Sequence, residues 1–238
     1  MAREQKVLIL VPVWNEQERV GAVIDDLRQH TKHDILVLDD GSSDQTANVA
    51  RDAGCLVVSH ETNRGVGAAI RTAIHYAAKA GYDIVVVVNG TGKTPARCIP
   101  GLLQPILEEG YDFVQGSRYL KGGTRENLPL HRSIGTRLHS VLFSFCLGHT
   151  VTDGTSGFRA FRLSCFKDPR FALDQGWLDR YELEVYLYYQ SVALGFKVKE
   201  TPVDILYPVS GRYTRMRMLV DWWRITRPIF YLKLGIKK

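Results

Sequence analysis

Four short apolar runs, VLILVPV at residues 7–13, ILVL at 35–38, LVVS at 56–59 and IVVVV at 84–88, recur through the first part of the chain, and the segments between them change period. After the first run Val20, Val23, Ile24 and Leu27 fall at i, i+3, i+4 and i+7, the spacing of one helical face; Val66, Ala69, Ile70, Ala73, Ile74 and Ala77 repeat it after the third. Asp39 and Asp40 close the second run, and Gly41-Ser42-Ser43-Asp44 supplies a turn and capping residues for a helix that stops near Gly54. The fourth run is apolar throughout, as in a parallel strand buried on both faces. This β-α-β-α-β-α-β order predicts an α/β fold with a mostly parallel sheet flanked by helices. Right-handed crossovers then leave a ligand crevice beyond the carboxyl ends of the strands. Three groups of residues stand there: Trp14-Asn15-Glu16, Asp39-Asp40 and Asn89-Gly90-Thr91.

After Val114 the regularity fades into a polar loop at 116–132, with helices predicted at 134–147 and 181–194. No linker, repeat or low-complexity tract divides the chain, so residues 1–210 are expected to form one domain, with 211–238 as an appendage. The 238 residues are enough for a proper core, and 45% hydrophobic with 24% charged residues excludes disorder, collagen and coiled coil. Residues 211–238 hold eight basic residues (Arg212, Arg215, Arg217, Arg224, Arg227, Lys233, Lys237, Lys238) and one acid, Asp221. That +7 exceeds the whole chain's +6, so the rest is near neutral and no nucleic-acid surface is expected. With Trp222, Trp223, Phe230 and Tyr231, and with Pro228 dividing it, the segment suits an anionic membrane surface; packing on the core or a dimer contact is the alternative.

Cys55, Cys98, Cys146 and Cys165 are widely spaced with no C-x-x-C pair, so free thiols in a reducing, cytoplasmic compartment are expected. The N-terminus has no signal-peptide pattern, and nowhere do eighteen apolar residues run together, so contact with a membrane would be peripheral.

Two phosphate-binding motifs fail on inspection. The turn after the first run has no glycine, which argues against a dinucleotide fold. Gly92-Lys93-Thr94 copies the end of a P-loop, but its first glycine would be Val87, inside the strand, and Pro95 follows where helix must begin. Lys93 and nearby backbone amides remain able to meet a phosphate.

Several motifs, in order, resemble the family-2 glycosyltransferases, most closely the dolichyl-phosphate mannosyltransferase-like, or polyprenyl-phosphate sugar synthase, branch. They are Val11-Pro12-Val13-Trp14-Asn15-Glu16, then Val37-Leu38-Asp39-Asp40-Gly41-Ser42-Ser43-Asp44-Gln45-Thr46, Asn63-Arg64-Gly65-Val66-Gly67-Ala68-Ala69, Gly116-Ser117-Arg118-Tyr119 and Thr155-Ser156-Gly157-Phe158-Arg159. The resemblance spans about residues 6 to 205. It implies a GT-A fold, a nucleotide-diphosphate sugar donor (UDP or GDP) and inversion at the anomeric carbon. Pro12, Asn15, Glu16 and Gly67 would line the nucleotide pocket. Asp39 or Asp40 would meet base or ribose, and Arg118, Arg132 and Arg159 would hold phosphates. Guanidinium groups suit that role because they bind phosphate oxygens bidentately. Helix capping is the alternative for the two aspartates, and a solvated surface role for a lone arginine.

The family's Asp-x-Asp, which holds Mg²⁺ or Mn²⁺ on the donor diphosphate, is here Asn89-Gly90-Thr91. An amide and a hydroxyl are poor partners for a hard dication, so no metal ligands are assigned and none is expected to be required. Lys93, where the family commonly has glutamine, supplies a cation in its place. A hydroxyl acceptor would need a general base, with Asp153, Glu182 and Glu184 as candidates. A polyprenyl phosphate is already an anion and needs cations instead. Arg118, Lys121, Arg125, Arg132 and Arg137 against Glu126 alone favour it, whereas Asp153 and Glu182 serve equally well as structural partners of arginines. The expected activity is therefore sugar transfer to a polyprenyl phosphate; transfer to a soluble hydroxyl, or nucleotide-sugar binding without catalysis, are the alternatives.

Overall fold

The computed structural model describes residues 4–207 and 218–237. Strands β1 (Val7–Val13), β2 (Asp34–Asp39), β3 (Leu56–Ser59) and β4 (Ile84–Val87) form on the four apolar runs, joined by helices α1 (Val20–His30), α2 (Thr46–Asp52) and α3 (Val66–Lys79). They lie parallel in the order β3-β2-β1-β4. The chain moves outward from β1 to β3 and then crosses back to β4 on the other side of β1. That reversal opens a crevice at the carboxyl ends of β1 and β4.

The second half extends the sheet. It contributes α4 (Ile99–Glu108), β5 (Phe113–Ser117), β6 (Thr124–Glu126), α5 (Leu130–Leu147), β7 (Arg159–Arg162), α6 (Glu182–Ala193), β8 (Val198–Pro202), β9 (Asp204–Leu206) and α7 (Met218–Lys233). The seven-stranded order is β3-β2-β1-β4-β7-β5-β8, with β7 antiparallel to both neighbours and the other pairs parallel; β6 and β9 form a separate parallel pair. Alternation along β1 explains why its sequence is apolar at every position. Leu8 and Leu10 join a core under α3, α5 and α6, while Val7, Ile9, Val11 and Val13 join another under α1 and α4.

Three features differ from the sequence reading. Helix α5 begins at Leu130 rather than 134, after extended backbone at Pro129. The loop at 116–132 contains β6, whose partner β9 lies some 80 residues away, and Thr124 Oγ1 donates to Asp204 Oδ1 at 2.8 Å across the pair. Pro228 does not divide the C-terminal segment. Helix α7 runs through it, because Ile225 and Ile229 are buried in the core under α5 and α6 and their packing outweighs the lost backbone bond. Arg212, Arg215, Arg217 and Lys238 lie outside the described residues. Among the described residues no helix is long and apolar enough to cross a membrane, and all four cysteines are free.

Candidate active site

A cavity of about 680 Å³ opens where β1, β2 and β4 end. Pro12, Val13, Trp14 and Glu16 follow β1, Asp40 follows β2, and Asn89, Gly90, Thr91 and Lys93 follow β4. The opposite wall is long-range in sequence: Arg118, Arg132, Thr155, Gly157, Arg180, Tyr181, Glu184, Tyr207, and from α7 Asp221, Arg224 and Ile225.

The cations gather around Tyr207. Arg118 Nη1 donates to the Tyr207 hydroxyl at 2.6 Å, Lys93 Nζ stands 5.5 Å from the ring centroid, and Arg132 Cζ stands 5.8 Å from it. The Leu206 amide donates to the Lys93 carbonyl at 2.7 Å, which fastens β9, and so Tyr207, to the loop after β4. Burial pushes the Lys93 ammonium down to about 8, and the neighbouring Arg132 and Arg118 charges push the same way, against Glu16. Such a group gains protonation when an anion arrives.

Arg118 is set by Asp153. Its Nε donates to Asp153 Oδ2 at 2.6 Å and its Nη2 to Oδ1 at 3.2 Å, with both side chains buried. Burial opposes the arginine charge, and the Asp153 carboxylate more than offsets it, so its pKa rises. Asp153 is thus the anchor of a cation and does not line the cavity. Glu182 is likewise buried and bonded to Arg227 of α7. Of the three candidate bases only Glu184 reaches the cavity, its carboxylate 3.4 Å from the Arg159 guanidinium. Burial raises its pKa against the pull of Arg159. A Cβ added at Gly157 would stand 2.9 Å from Glu184 Oε1 and 3.0 Å from Asn89 Oδ1, so the glycine keeps open the gap between the end of β4 and α6.

Pro12, Glu16, Asp40, Asn89, Thr91, Lys93, Arg118 and Arg132 line one cavity; the other sequence candidates support it. Asn15 clasps the turn after β2, accepting from the Ser43 amide at 2.8 Å, and Asp39 accepts from the Ser42 amide at 3.0 Å. Asp40 accepts from the Arg64 and Gly65 amides at 2.9 and 2.7 Å and meets His60 Nδ1 at 2.7 Å, which ties β2 to the start of α3. Gly67 admits backbone: a Cβ there would lie 2.0 Å from the Leu178 carbonyl oxygen. Arg159 is placed away from the cavity, bonded to the Ser156 and Glu184 carbonyls, because its strand, β7, carries it into the interior. Tyr181, Tyr207, Arg180 and the α7 pair Asp221 and Arg224 were not legible as site residues. The last two read in sequence as part of a basic tail, yet Arg224 Nη1 meets Asp221 Oδ1 at 3.0 Å at the cavity wall.

The donor set at the end of β4 does not fit a protein-held dication. Asn89 and Thr91 offer only neutral oxygens, and Asp40, Glu16, Glu184 and Asp221 are each bonded to amides or paired with a cation. Among the described residues no group of three His, Cys, Asp or Glu side chains is arranged to hold a metal.

The sequence profile of the family described as "Glycosyl transferase family 2" matches residues 8–168. The chain belongs to glycosyltransferase family 2. Curated members similar to it include "Glycosyltransferase AglJ" of Haloferax volcanii, 36% identical over 221 residues, covering 93% of this chain and 70% of that one. "Polyprenol monophosphomannose synthase" of Mycolicibacterium smegmatis is 29% identical over 208 residues, covering 84% of this chain and 77% of that one. Among solved structures, glucosyl-3-phosphoglycerate synthase from Mycobacterium tuberculosis, in complex with Mn²⁺, UDP and phosphoglyceric acid, superposes with a TM-score of 0.72 at 20% identity, covering 98% of this chain and 80% of that one. That likeness establishes the GT-A fold of this family-2 glycosyltransferase.

Proposed function

We propose that this glycosyltransferase moves a sugar, with inversion, from a nucleotide-diphosphate sugar to a polyprenyl phosphate, and that its own cations take the place of a bound metal. The observation that carries the reading is the Lys93, Arg118 and Arg132 cluster around Tyr207, beside a strand end that offers no free carboxylate. Relatives named for polyprenol and dolichyl phosphate transfer support the acceptor class.

In this reaction an acceptor phosphate oxygen bonds to the anomeric carbon as the bond from that carbon to the donor diphosphate breaks. The nucleoside diphosphate leaves as an anion. No proton need be abstracted, because the acceptor is ionised already. The obstacle is repulsion between two phosphates, and a unit charge pair at 4 Å is worth about 4 kcal/mol at an effective dielectric near 20. Lys93 would face the leaving diphosphate, and Arg118 and Arg132 the incoming phosphate. Charge placed in advance where charge develops acts in the transition state. The strand-end residues Pro12, Glu16 and Asp40 would bound the nucleotide. We place the reaction at the cytoplasmic face of a membrane, which the protein meets peripherally.

Glu184 favours a second reading. Its raised pKa and its position across from Asn89 suit a general base for a hydroxyl acceptor. Labelled UDP- and GDP-sugars incubated with a short-chain polyprenyl phosphate in detergent, followed by lipid extraction, separate the two. Label in the organic phase, reduced at least about tenfold by Arg132→Ala, supports the lipid phosphate acceptor. Label confined to a water-soluble hydroxyl product, abolished by Glu184→Gln, replaces it with the second. Nucleotide binding with no turnover on either acceptor overturns both.

A further inference from the structure

Helix α5 is built inside out for a helix that faces water. Its buried residues are Thr136, His139, Ser140, Phe143 and Cys146, of which three are polar. Its solvent face carries Leu130, Ile134, Leu138, Val141 and Phe145, exposed by 75%, 52%, 64%, 67% and 85%. These residues recur every three or four positions and form one strip along the helix, about 22 Å long from Leu130 to Phe145 at ~1.5 Å per residue. Single exposed apolar residues are ordinary, but a continuous strip of large ones is an interaction surface. Helix α7 packs beside it, with Trp222 against Gly135, and adds the exposed Trp223 and Phe230.

Charge indicates what covers the strip. Helix α5 contains no Asp or Glu; its basic residues are His131, Arg132, Arg137 and His139. Arg125 and the exposed Arg137 both stand 5.2 Å from the Tyr119 ring, which gathers two guanidinium groups beside α5. A second copy of this chain would set a face with only positive charge against its own like, which is unfavourable. A bilayer of anionic lipids offers hydrocarbon to the strip and phosphate to the cations.

We propose that the α5 strip docks the protein on an anionic lipid bilayer, an inference that rests in part on the lipid-acceptor reading. Arg132, on the first turn of the same helix, lines the cavity, so docking through α5 brings the cavity mouth to the surface from which a lipid-borne phosphate is taken. The membrane contact expected of the C-terminal segment then belongs first to α5, with the outward residues of α7 beside it.

Sedimentation of the full chain with phosphatidylcholine vesicles containing about 30% phosphatidylglycerol tests this directly. Wild type should pellet, and Leu138→Glu/Phe145→Glu should weaken binding by at least about tenfold. Both replaced side chains are exposed, so the melting temperature and nucleotide calorimetry should not move. Leu107→Glu, an exposed apolar site on α4, should bind vesicles as wild type does. Equal pelleting of wild type and the α5 variant overturns the proposal. So does a wild type that ignores vesicles and self-associates in light scattering in a strip-dependent way. Transfer to detergent-dispersed acceptor without vesicle binding removes the docking and leaves the function intact; docking without transfer removes the function and leaves the docking.

Discussion

Helices α3 and α5 carry apolar stripes of similar regularity and bury opposite faces. On α3 the stripe of Ala69, Ile70, Ala73, Ile74 and Ala77 is buried against β1 and β2, in the core that also holds Leu8, Leu10, Leu36 and Leu38. On α5 the stripe of Leu130, Ile134, Leu138, Val141 and Phe145 faces outward, and a partly polar face containing Thr136, His139 and Ser140 is turned in. Of the inward polar groups of α5, Ser140 is bonded on both sides: its Oγ donates to the Thr136 carbonyl at 3.0 Å and accepts from the Gly154 amide at 3.0 Å. The Gly154 contact pins the loop that carries Asp153, and through it Arg118. The first region is therefore a frame whose sequence pattern reports burial. The second is a working surface whose polar face builds the site and whose apolar face is left for something outside the chain.

The largest effect expected from this contrast is on folding. Ala73→Glu sets an unpaired charge against the sheet and should cost about 5 kcal/mol or more, leaving no cooperative thermal transition, while Leu138→Glu should stay within about 0.5 kcal/mol of wild type. Similar losses for the two variants would mean that the α5 stripe is covered within the protein itself.

Asp153→Ala comes next. It leaves Arg118 buried without its carboxylate and should cost about 3–5 kcal/mol in chemical denaturation. Asp153→Ala with Arg118→Met should recover part of that loss while turnover remains low, because the arginine itself is gone. Full recovery of turnover in the double variant would show that the pair is structural only.

A third effect is acid sensitivity at the α5–α7 contact. His139, stacked edge-on near Trp222 and buried, is held down to about 4 by burial, against the Ile225 carbonyl and Asp153. Its folded value lies below the ordinary 6.5, so the unfolded chain takes up the proton first. The stability is present above about 6.5 and is lost as pH falls toward 4, on the order of 3 kcal/mol in all. Denaturation curves between these limits should flatten in His139→Gln; an unchanged slope would assign the acid loss to carboxylates.

The frame was legible because each strand is apolar at nearly every position and the helices between strands carry one clear face. The strand ends then named half of the cavity, from Pro12 to Lys93. The other half depends on pairings that leave no local mark. Strand β7 inserts antiparallel between β4 and β5, and that turns Arg159 inward. Tyr207 reaches the cations only because β9 is fastened to the loop after β4. Asp221 and Arg224 sit in a segment whose composition reads as basic tail, and the buried Ile225 and Ile229 beside them reveal the packing only once α5 and α6 are in place. The aspartates 39, 40 and 153 show the limit from the other side. They are acids in the right neighbourhood, but their oxygens hold turns, a helix start and an arginine.

A smaller effect separates the cationic wall from the frame by pH. Donor affinity should fall as pH rises through about 8, where Lys93 loses its proton in the free enzyme. Lys93→Arg should keep its affinity through that range, and a parallel fall in Lys93→Arg would move the titration to another group.

The most direct test of the cation-based site is calorimetry of the cognate nucleotide sugar in chelator and in Mn²⁺, for wild type and Lys93→Ala. Wild-type affinity should be nearly equal in both buffers, and Lys93→Ala should lose about 1.5–3 kcal/mol. Binding that disappears in chelator, with Lys93→Ala behaving as wild type, would contradict a cation-based site and return the donor diphosphate to a metal.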